Sequence, residues 1–307
     1  MQRLTLDQPV PDHLRGAIVA LGNFDGFHRG HQAVVGRAVQ RGFHERKPVI
    51  VATFDPHPVR LFRPDVPPFR LTSLDQRQEL FAHAGADAML VFRFTPELAA
   101  TSAEDFVSEI LAKRIGASGV VTGDDFTFGK GRVGNVERLA ELGAPMGIVA
   151  EAVGPVSASD ERVSSGRVRE ALIEGDVALA TRFLTRPYTI AGEIVRGDRR
   201  GRDLGYPTAN MALGDYQRPR YGIYAVTALL PDGRELPGVA SLGIRPMFDP
   251  PEELLETYIF DFDEDLYGQQ IEVALHAFLR DEMKFDSVEA LVEQMREDEA
   301  AARDILT

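Results

Sequence analysis

The stretch "AIVALGNFDGFHRGHQAVVGRAVQRG", residues 17–42, decides the fold of the first half of the chain. Ala17–Gly22 is a short apolar run. A loop with Gly22, Gly26 and Gly30 follows, and then residues 31–42 place apolar side chains at helical spacing up to a terminal glycine. Strand, glycine loop and helix make the opening of a βαβ unit. In open parallel sheets ligands sit outside the carboxyl ends of the strands, and a helix N-terminus there offers unpaired N–H groups that suit phosphate. His28 and His31 lie at this junction, three residues apart, so they can face one ligand. Gly22, Gly26 and Gly30 let backbone come close to it.

The same alternation continues outward. Strands are predicted at 48–54, 88–94, 119–123 and 147–153, with helices at 73–85, 102–116 and 135–143 between them. Ser73 is placed to cap its helix, and Ser102-x-x-Asp105 has capping-box spacing. Strands alternating with helices of this length predict a doubly wound parallel sheet. After "RFLTRPY" (182–188) the pattern changes to strands separated by turn residues, at 189–197, 222–230, 234–244, 256–262 and 269–280. Such spacing predicts a small antiparallel β-barrel. A last helix follows, with Asp286 and Ser287 as caps and Val288, Leu291, Val292 and Met295 on one face. The fold class expected is thus α/β followed by β, with domains 1–185 and 186–307.

Composition limits the function classes. The chain has 307 residues and no cysteine, which excludes disulfides, thiolate zinc sites and a cysteine nucleophile. A net charge of −13, from 34 Lys+Arg against 47 Asp+Glu, makes a poor general binder of nucleic acid or of membrane surfaces. The first residues carry no apolar core for a signal peptide, and no apolar run is long enough to span a bilayer. The expectation is a cytoplasmic protein with neither nucleic-acid nor membrane partner.

The histidine pair admits three readings: a metal site, a phosphate site, or two unrelated surface residues. Asp25 is nearby, but no third ligand has convincing metal spacing and no H-E-x-x-H occurs. Histidines at a phosphate donate hydrogen bonds to oxygens that gain charge in a transition state, without a covalent role. The location favours that reading.

"GNFDGFHRGH" (22–31) resembles the G-x-F-D-G-x-H-x-G-H motif of bacterial bifunctional riboflavin kinase/FAD synthetases, members of the H-x-G-H nucleotidyltransferase superfamily. "TFDPHP" (53–58), "TGDDFTFGKGRVGN" (122–135) and "VSSGRVREAL" (163–172) resemble further motifs of that family in order, with Gly166 where threonine is usual. Ser164 and Ser165 precede a helix, and Arg167 and Arg169 can fork onto phosphate. The resemblance implies an FMN adenylyltransferase with His28 and His31 catalytic. Its ATP would lie against Gly22, Phe24, Gly30, Ser164, Ser165, Arg167 and Arg169. Its flavin would meet Phe54, Phe62, Asp125 and Phe128; Phe126 is a further phenylalanine able to stack on it.

In the second half "GRDLGYPTANM" (201–211) resembles the Pro-Thr-Ala-Asn motif of riboflavin kinases. "YGIYAV" (221–226), "GVASLGIRPMF" (238–248), "LETYIFDFDEDLYG" (255–268) and "FLRDEMKFDSVEALVEQM" (278–295) follow in family order, with Met247 where threonine is frequent. The resemblance implies riboflavin phosphorylation with Glu256 as base. Gly201, Thr208 and Asn210 would bind ATP, the latter two also magnesium, and Arg245 would meet flavin. Thr208 and Asn210 alternate onto one side of an extended chain, and "RGDRRGR" (196–202) before them reads as a nucleotide flap. No G-x-x-x-x-G-K-[ST] occurs, so this is not a P-loop kinase. The ligands implied are riboflavin, FMN, FAD, ATP and Mg2+.

Two rivals remain at this stage. "GKGRVG" (129–134) satisfies G-x-G-x-x-G and suggests a dinucleotide-dependent oxidoreductase. However, the fingerprint's first glycine belongs directly after the strand, and here "DDFTF" intervenes after Gly123. The other rival is a flavin sensor that binds without turnover.

Overall fold

The computed structural model describes residues 1–158, 161–196, 205–245 and 252–306. Gly201 and Met247 lie outside the described residues, as do most of the 196–202 segment and the side chain of Arg245. The chain divides into two compact units, Met1–Pro67 with Ser73–Ser164, and Pro68–Thr72 with Ser165–Thr307. The helices Ser165–Glu174 and Val177–Leu184 therefore group with the second unit, ahead of the change of period near residue 186.

The first unit holds six parallel strands: β1 Gln2–Thr5, β2 Ile18–Leu21, β3 Val49–Asp55, β4 Ala88–Arg93, β5 Gly119–Gly123 and β6 Val149–Val153. Their order is β1-β4-β3-β2-β5-β6. The central strands are buried along almost their whole length, as a parallel sheet covered on both faces requires. Alternation splits them between two cores: Val19, Leu21, Ile50, Ala52 and Phe54 face one way, and Ile18, Ala20, Val49 and Val51 the other. The helix Arg29–Glu45 sets Val34, Val35 and Ala38 into the second of these cores. The helix Leu74–His83 begins with a full capping box between Ser73 and Gln76. Ser102 caps the helical segment Ala103–Asp105, which continues through Phe106–Ile115 and ends at the left-handed Gly116. A two-stranded ribbon, β7 Ser157–Ala158 with β8 Glu161–Arg162, closes the unit. The chain leaves β2 toward β3 on one side and β5 toward β6 on the other, although β2 and β5 pair directly. Their carboxyl ends form the switch point, where ligands bind in such sheets.

The second unit is a closed antiparallel barrel in the order β10-β13-β12-β11-β14-β9. Its strands are β9 Tyr188–Val195, β10 Ala209–Ala212, β11 Gly222–Leu229, β12 Glu235–Arg245, β13 Glu252–Ile259 and β14 Gln270–Arg280. Strand β10, which the sequence presents as a motif rather than a strand, closes the barrel by pairing with both β9 and β13. Ile194, Met211, Leu255 and Leu242 form one buried row across it. Thr257 lies on the same face of β13 as Leu255, 1 % exposed, and its hydroxyl is buried with no hydrogen-bond partner among the described residues. Thr257→Val removes that hydroxyl at constant shape and is expected to stabilise the chain by about 1 kcal/mol, because a buried unsatisfied polar group costs about 1–3 kcal/mol. Urea titration of both proteins checks this; a lower midpoint for the valine variant would refute it.

The terminal helix Val288–Leu306 is capped by the Ser287 hydroxyl. The face expected to be apolar differs from the one that packs. Val288 is exposed and Leu291, Val292 and Met295 are only partly covered, while Asp298 and Ala302 are buried. Ala302 packs with Ala225 and Phe260, and Asp298 takes a two-pronged ion pair from Arg280. The contact is made by the later turns of the helix, where a strand arginine pulls in a carboxylate.

Candidate active sites

The loop after β2 is built to present His28. Phe24, Gly26 and Phe27 all take positive φ, at 50°, 85° and 45°. Non-glycine residues in that region persist only where the surroundings over-determine them. The Phe24 ring is buried, fills the space beside Gly22 where a Cβ would stand, and meets the edge of His31 at 5.3 Å. His28, 6 % exposed, is the N-cap of helix Arg29–Glu45. Its Nδ1 accepts from Gly30 N at 3.1 Å and from His31 N at 3.4 Å. An Nδ1 that accepts leaves the proton of the neutral ring on Nε2. The rings of His28 and His31 stack at 3.7 Å between centroids. Gly30 gives the His28 ring its room: a Cβ there would meet His28 Cε1 at 3.1 Å. The same point is 3.9 Å from the Val163 carbonyl, so the start of the serine motif reaches this loop.

The other expected residues of the first unit fall into two kinds. Phe54 and Phe128 are buried, Phe54 stacked on Phe92 at 5.1 Å and Phe128 against Phe106 at 5.4 Å. Phe62 is 68 % exposed, with only an edge toward Phe94. Asp125 is exposed and paired with Arg162 at 2.9 Å. Ser164 ends the first unit and Ser165 opens the second. Within the second unit Arg167 is exposed and bonds Glu170, and Arg169 donates to the Phe69 carbonyl at 2.7 Å and lies over the Phe69 ring. The "GKGRVG" segment folds into a turn closed by two hydrogen bonds between Phe128 and Gly134, away from the end of β5. That is not the tight strand-to-helix turn of a dinucleotide fingerprint.

On the barrel, strand register assembles the second set. Asn210 of β10 and Ser241 of β12 both lie directly opposite Glu256 of β13, one on each side. Directly opposite residues share a face with Cβ atoms roughly 5 Å apart. This face is the reverse of the Leu255 row, and Thr208, two residues before Asn210, joins it. Asn210 is buried, and its Nδ2 donates to the Thr208 carbonyl at 3.3 Å. Tyr206 and Tyr258 meet at 4.9 Å at the edge of the same patch. Burial, and then Glu299, push both hydroxyls above the usual tyrosine value, so they stay protonated.

Comparison with known proteins agrees with both halves. The FAD synthetase family pattern matches residues 10–167 and the riboflavin kinase pattern residues 184–306. The bifunctional riboflavin kinase/FMN adenylyltransferase of Escherichia coli K12 is 38 % identical over 94 % of this chain and 92 % of its own length. That of Pseudomonas fluorescens is 40 % identical, covering 95 % and 94 %. The chain belongs to the bifunctional riboflavin kinase/FMN adenylyltransferase family. A crystal structure described as a macrolide-efflux protein from Streptococcus pneumoniae is also similar, with TM-score 0.88, 30 % identity and 99 % of both chains covered. Among the described residues no helix is long and apolar enough to cross a membrane.

Several residues of this bifunctional family member escaped the sequence reading. Ser241, Tyr206 and Tyr258 lie inside the quoted motif segments, but nothing in those segments singles them out. Counting by two from Glu256 reaches Tyr258, and from Asn210 through Thr208 reaches Tyr206, but Ser241 needs the pairing of β12 with β13. Asn23, whose Oδ1 is buried without a hydrogen-bond partner among the described residues, sits inside the quoted loop and has no motif role there.

Proposed function

We propose that the two reactions of this family are divided along the chain, with adenylyl transfer in residues 1–185 at His28 and His31 and riboflavin phosphorylation in residues 186–307 at Glu256. Riboflavin takes the γ-phosphoryl of ATP to give FMN, and FMN takes the adenylyl group of a second ATP to give FAD and pyrophosphate. For phosphorylation, the Glu256 carboxylate accepts the proton of the ribityl 5′-hydroxyl as that oxygen attacks. Thr208 and Asn210 hold the nucleotide phosphates on the same face.

For adenylyl transfer, the FMN phosphate attacks the α-phosphorus. The His28 Nε2–H donates to the oxygens that gain charge, and the stacked His31 ring assists from the helix's first turn. The observation that carries this reading is the His28 cap: with Nδ1 held by two backbone amides, the ring presents a donor in fixed orientation. Phe62 is the exposed ring suited to stack on the isoalloxazine, and Phe54 and Phe128 support the fold beneath it. Ser164, which ends the first unit, serves the triphosphate.

Magnesium fits the Thr208–Asn210 pair. A hard cation takes oxygen donors and keeps waters and phosphate oxygens, and the Asn210 amide turns its nitrogen to the Thr208 carbonyl, which directs its oxygen the other way. When bound, the ion neutralises phosphate charge. Use of ATP supports a cytoplasmic protein. The test is to incubate the protein with riboflavin, ATP and magnesium and to separate the flavins by chromatography. FMN and FAD are both expected; accumulation of neither would refute the reading.

A further inference from the structure

Arg77 is a buried charged side chain of the first unit with no part in the steps above. Arg77 extends from the helix Leu74–His83 and is 4 % exposed. Its Nη1 donates to Thr53 Oγ1 at 3.0 Å and to the carbonyls of Asn23 and Phe54, each at 3.4 Å. Its Nη2 lies 3.7 Å from Asp55 Oδ1. Thr53, itself fully buried, donates its hydroxyl to the Asn23 carbonyl at 2.7 Å. These partners belong to two segments. Thr53, Phe54 and Asp55 end β3. Asn23 opens the loop that runs through the left-handed Phe24, Gly26 and Phe27 to His28. Asn23's own side-chain oxygen is buried without a hydrogen-bond partner among the described residues, and its carbonyl accepts from Thr53 and Arg77.

We propose that Arg77 is a positioning residue for adenylyl transfer. It locks the entrance of the Asn23–Phe27 loop against the end of β3 and so fixes where the His28 ring stands. The proposal rests on the placement of that reaction at His28 and His31. Guanidinium suits the task because its planar fork reaches several acceptors at once, and it keeps its charge when buried. An ammonium can reach some of these acceptors but cannot hold the same fork. A loop in sparsely populated backbone conformations relaxes when one of its constraints is removed. A shift of about 1 Å at a reacting group can cost about a hundredfold in rate.

The test uses the full chain with Arg77→Met, Arg77→Lys and Thr53→Val. Each variant is assayed for FAD formation from FMN, for riboflavin phosphorylation on the same sample, and for the ring-nitrogen resonances of His28. Arg77→Met is expected to lower kcat for FAD formation by about 30- to 100-fold while KM for FMN moves less than about threefold. Riboflavin phosphorylation stays at the wild-type rate, and the His28 Nδ1 resonance moves away from its capped position. Arg77→Lys restores part of kcat, and Thr53→Val, which removes the shared hydroxyl without changing charge, lowers kcat in the same direction. Should Arg77→Met fail to fold, the lysine and valine variants decide alone. A wild-type kcat in the folded variants, or a loss that only follows the folded fraction, overturns the role. If His28→Asn leaves FAD formation intact, the underlying site assignment fails; if that variant is inactive and the Arg77 variants are not, only the positioning role fails.

Discussion

His28→Asn is expected to slow FAD formation from FMN by about 10²–10³-fold, the usual cost of losing one preorganised donor to transition-state charge. Riboflavin phosphorylation by the same sample should continue at the wild-type rate. The ring has two jobs, and asparagine keeps one. Its Oδ1 falls near the position of Nδ1, and asparagine is among the best N-caps, so the amides of Gly30 and His31 keep an acceptor. Nothing in asparagine reaches the Nε2 position. His28→Ala removes both functions, and losing a cap costs about 1 kcal/mol of stability. Denaturant titration should therefore separate the two variants while both fail as adenylyltransferases. His28→Gln is the complement, placing an amide donor near Nε2 without the cap. FAD formation by the asparagine variant within about tenfold of wild type would sink the donor role, since that is less than the loss of a single such donor.

Residues 17–42 were legible because two periods meet there: an apolar run, then helical spacing, with glycines between. The parallel, doubly wound character of the sheet follows from that unit and its repetition; the strand order does not. Strand β1 was not legible, since "QRLT" buries a single side chain and has no period to detect. Strand β10 is as short and is masked by the motif it carries. The terminal helix shows the opposite failure. Its apolar stripe is real, but a stripe does not say which turns have a neighbour, and the neighbour is reached at Asp298 and Ala302.

The candidate sites divide in the same way. His28, His31, Thr208, Asn210 and Glu256 were readable because their chemistry is local or motif-bound. Phe54, Phe62 and Phe128 look alike as letters. What separates an exposed ring from two core rings is whether Phe92 or Phe106 lies against it, a fact about tertiary contact. Arg77 was hidden for a related reason. Its partners Asn23 and Thr53 are far along the chain, and two of the groups it holds are main-chain carbonyls, which have no letter.

Glu256→Gln should abolish most riboflavin phosphorylation and spare conversion of FMN to FAD. Glutamine keeps the shape and the hydrogen-bonding oxygen, so Asn210 and Ser241 on either side retain their neighbour. It cannot accept the proton of the attacking hydroxyl, and general-base catalysis is worth about 10²–10⁴-fold. Strand β13 supplies its own control. Glu253 is three residues away, which alternation places on the other face. There it receives Arg218 through Nε at 2.8 Å and Nη2 at 2.5 Å, and the Tyr221 hydroxyl. Burial alone would raise its carboxyl, but Arg218 and Tyr221 outweigh burial and hold it below the usual value. Glu253→Gln should therefore weaken the barrel, most visibly above the unfolded carboxylate range and not in acid, yet leave the phosphorylation rate of folded protein unchanged. If Glu256→Gln phosphorylates riboflavin within about tenfold of wild type, less than the smallest usual loss of a general base, Glu256 is not the base. If Glu253→Gln is the variant that loses turnover at full folding, the reacting face is the other one and the register argument fails with it.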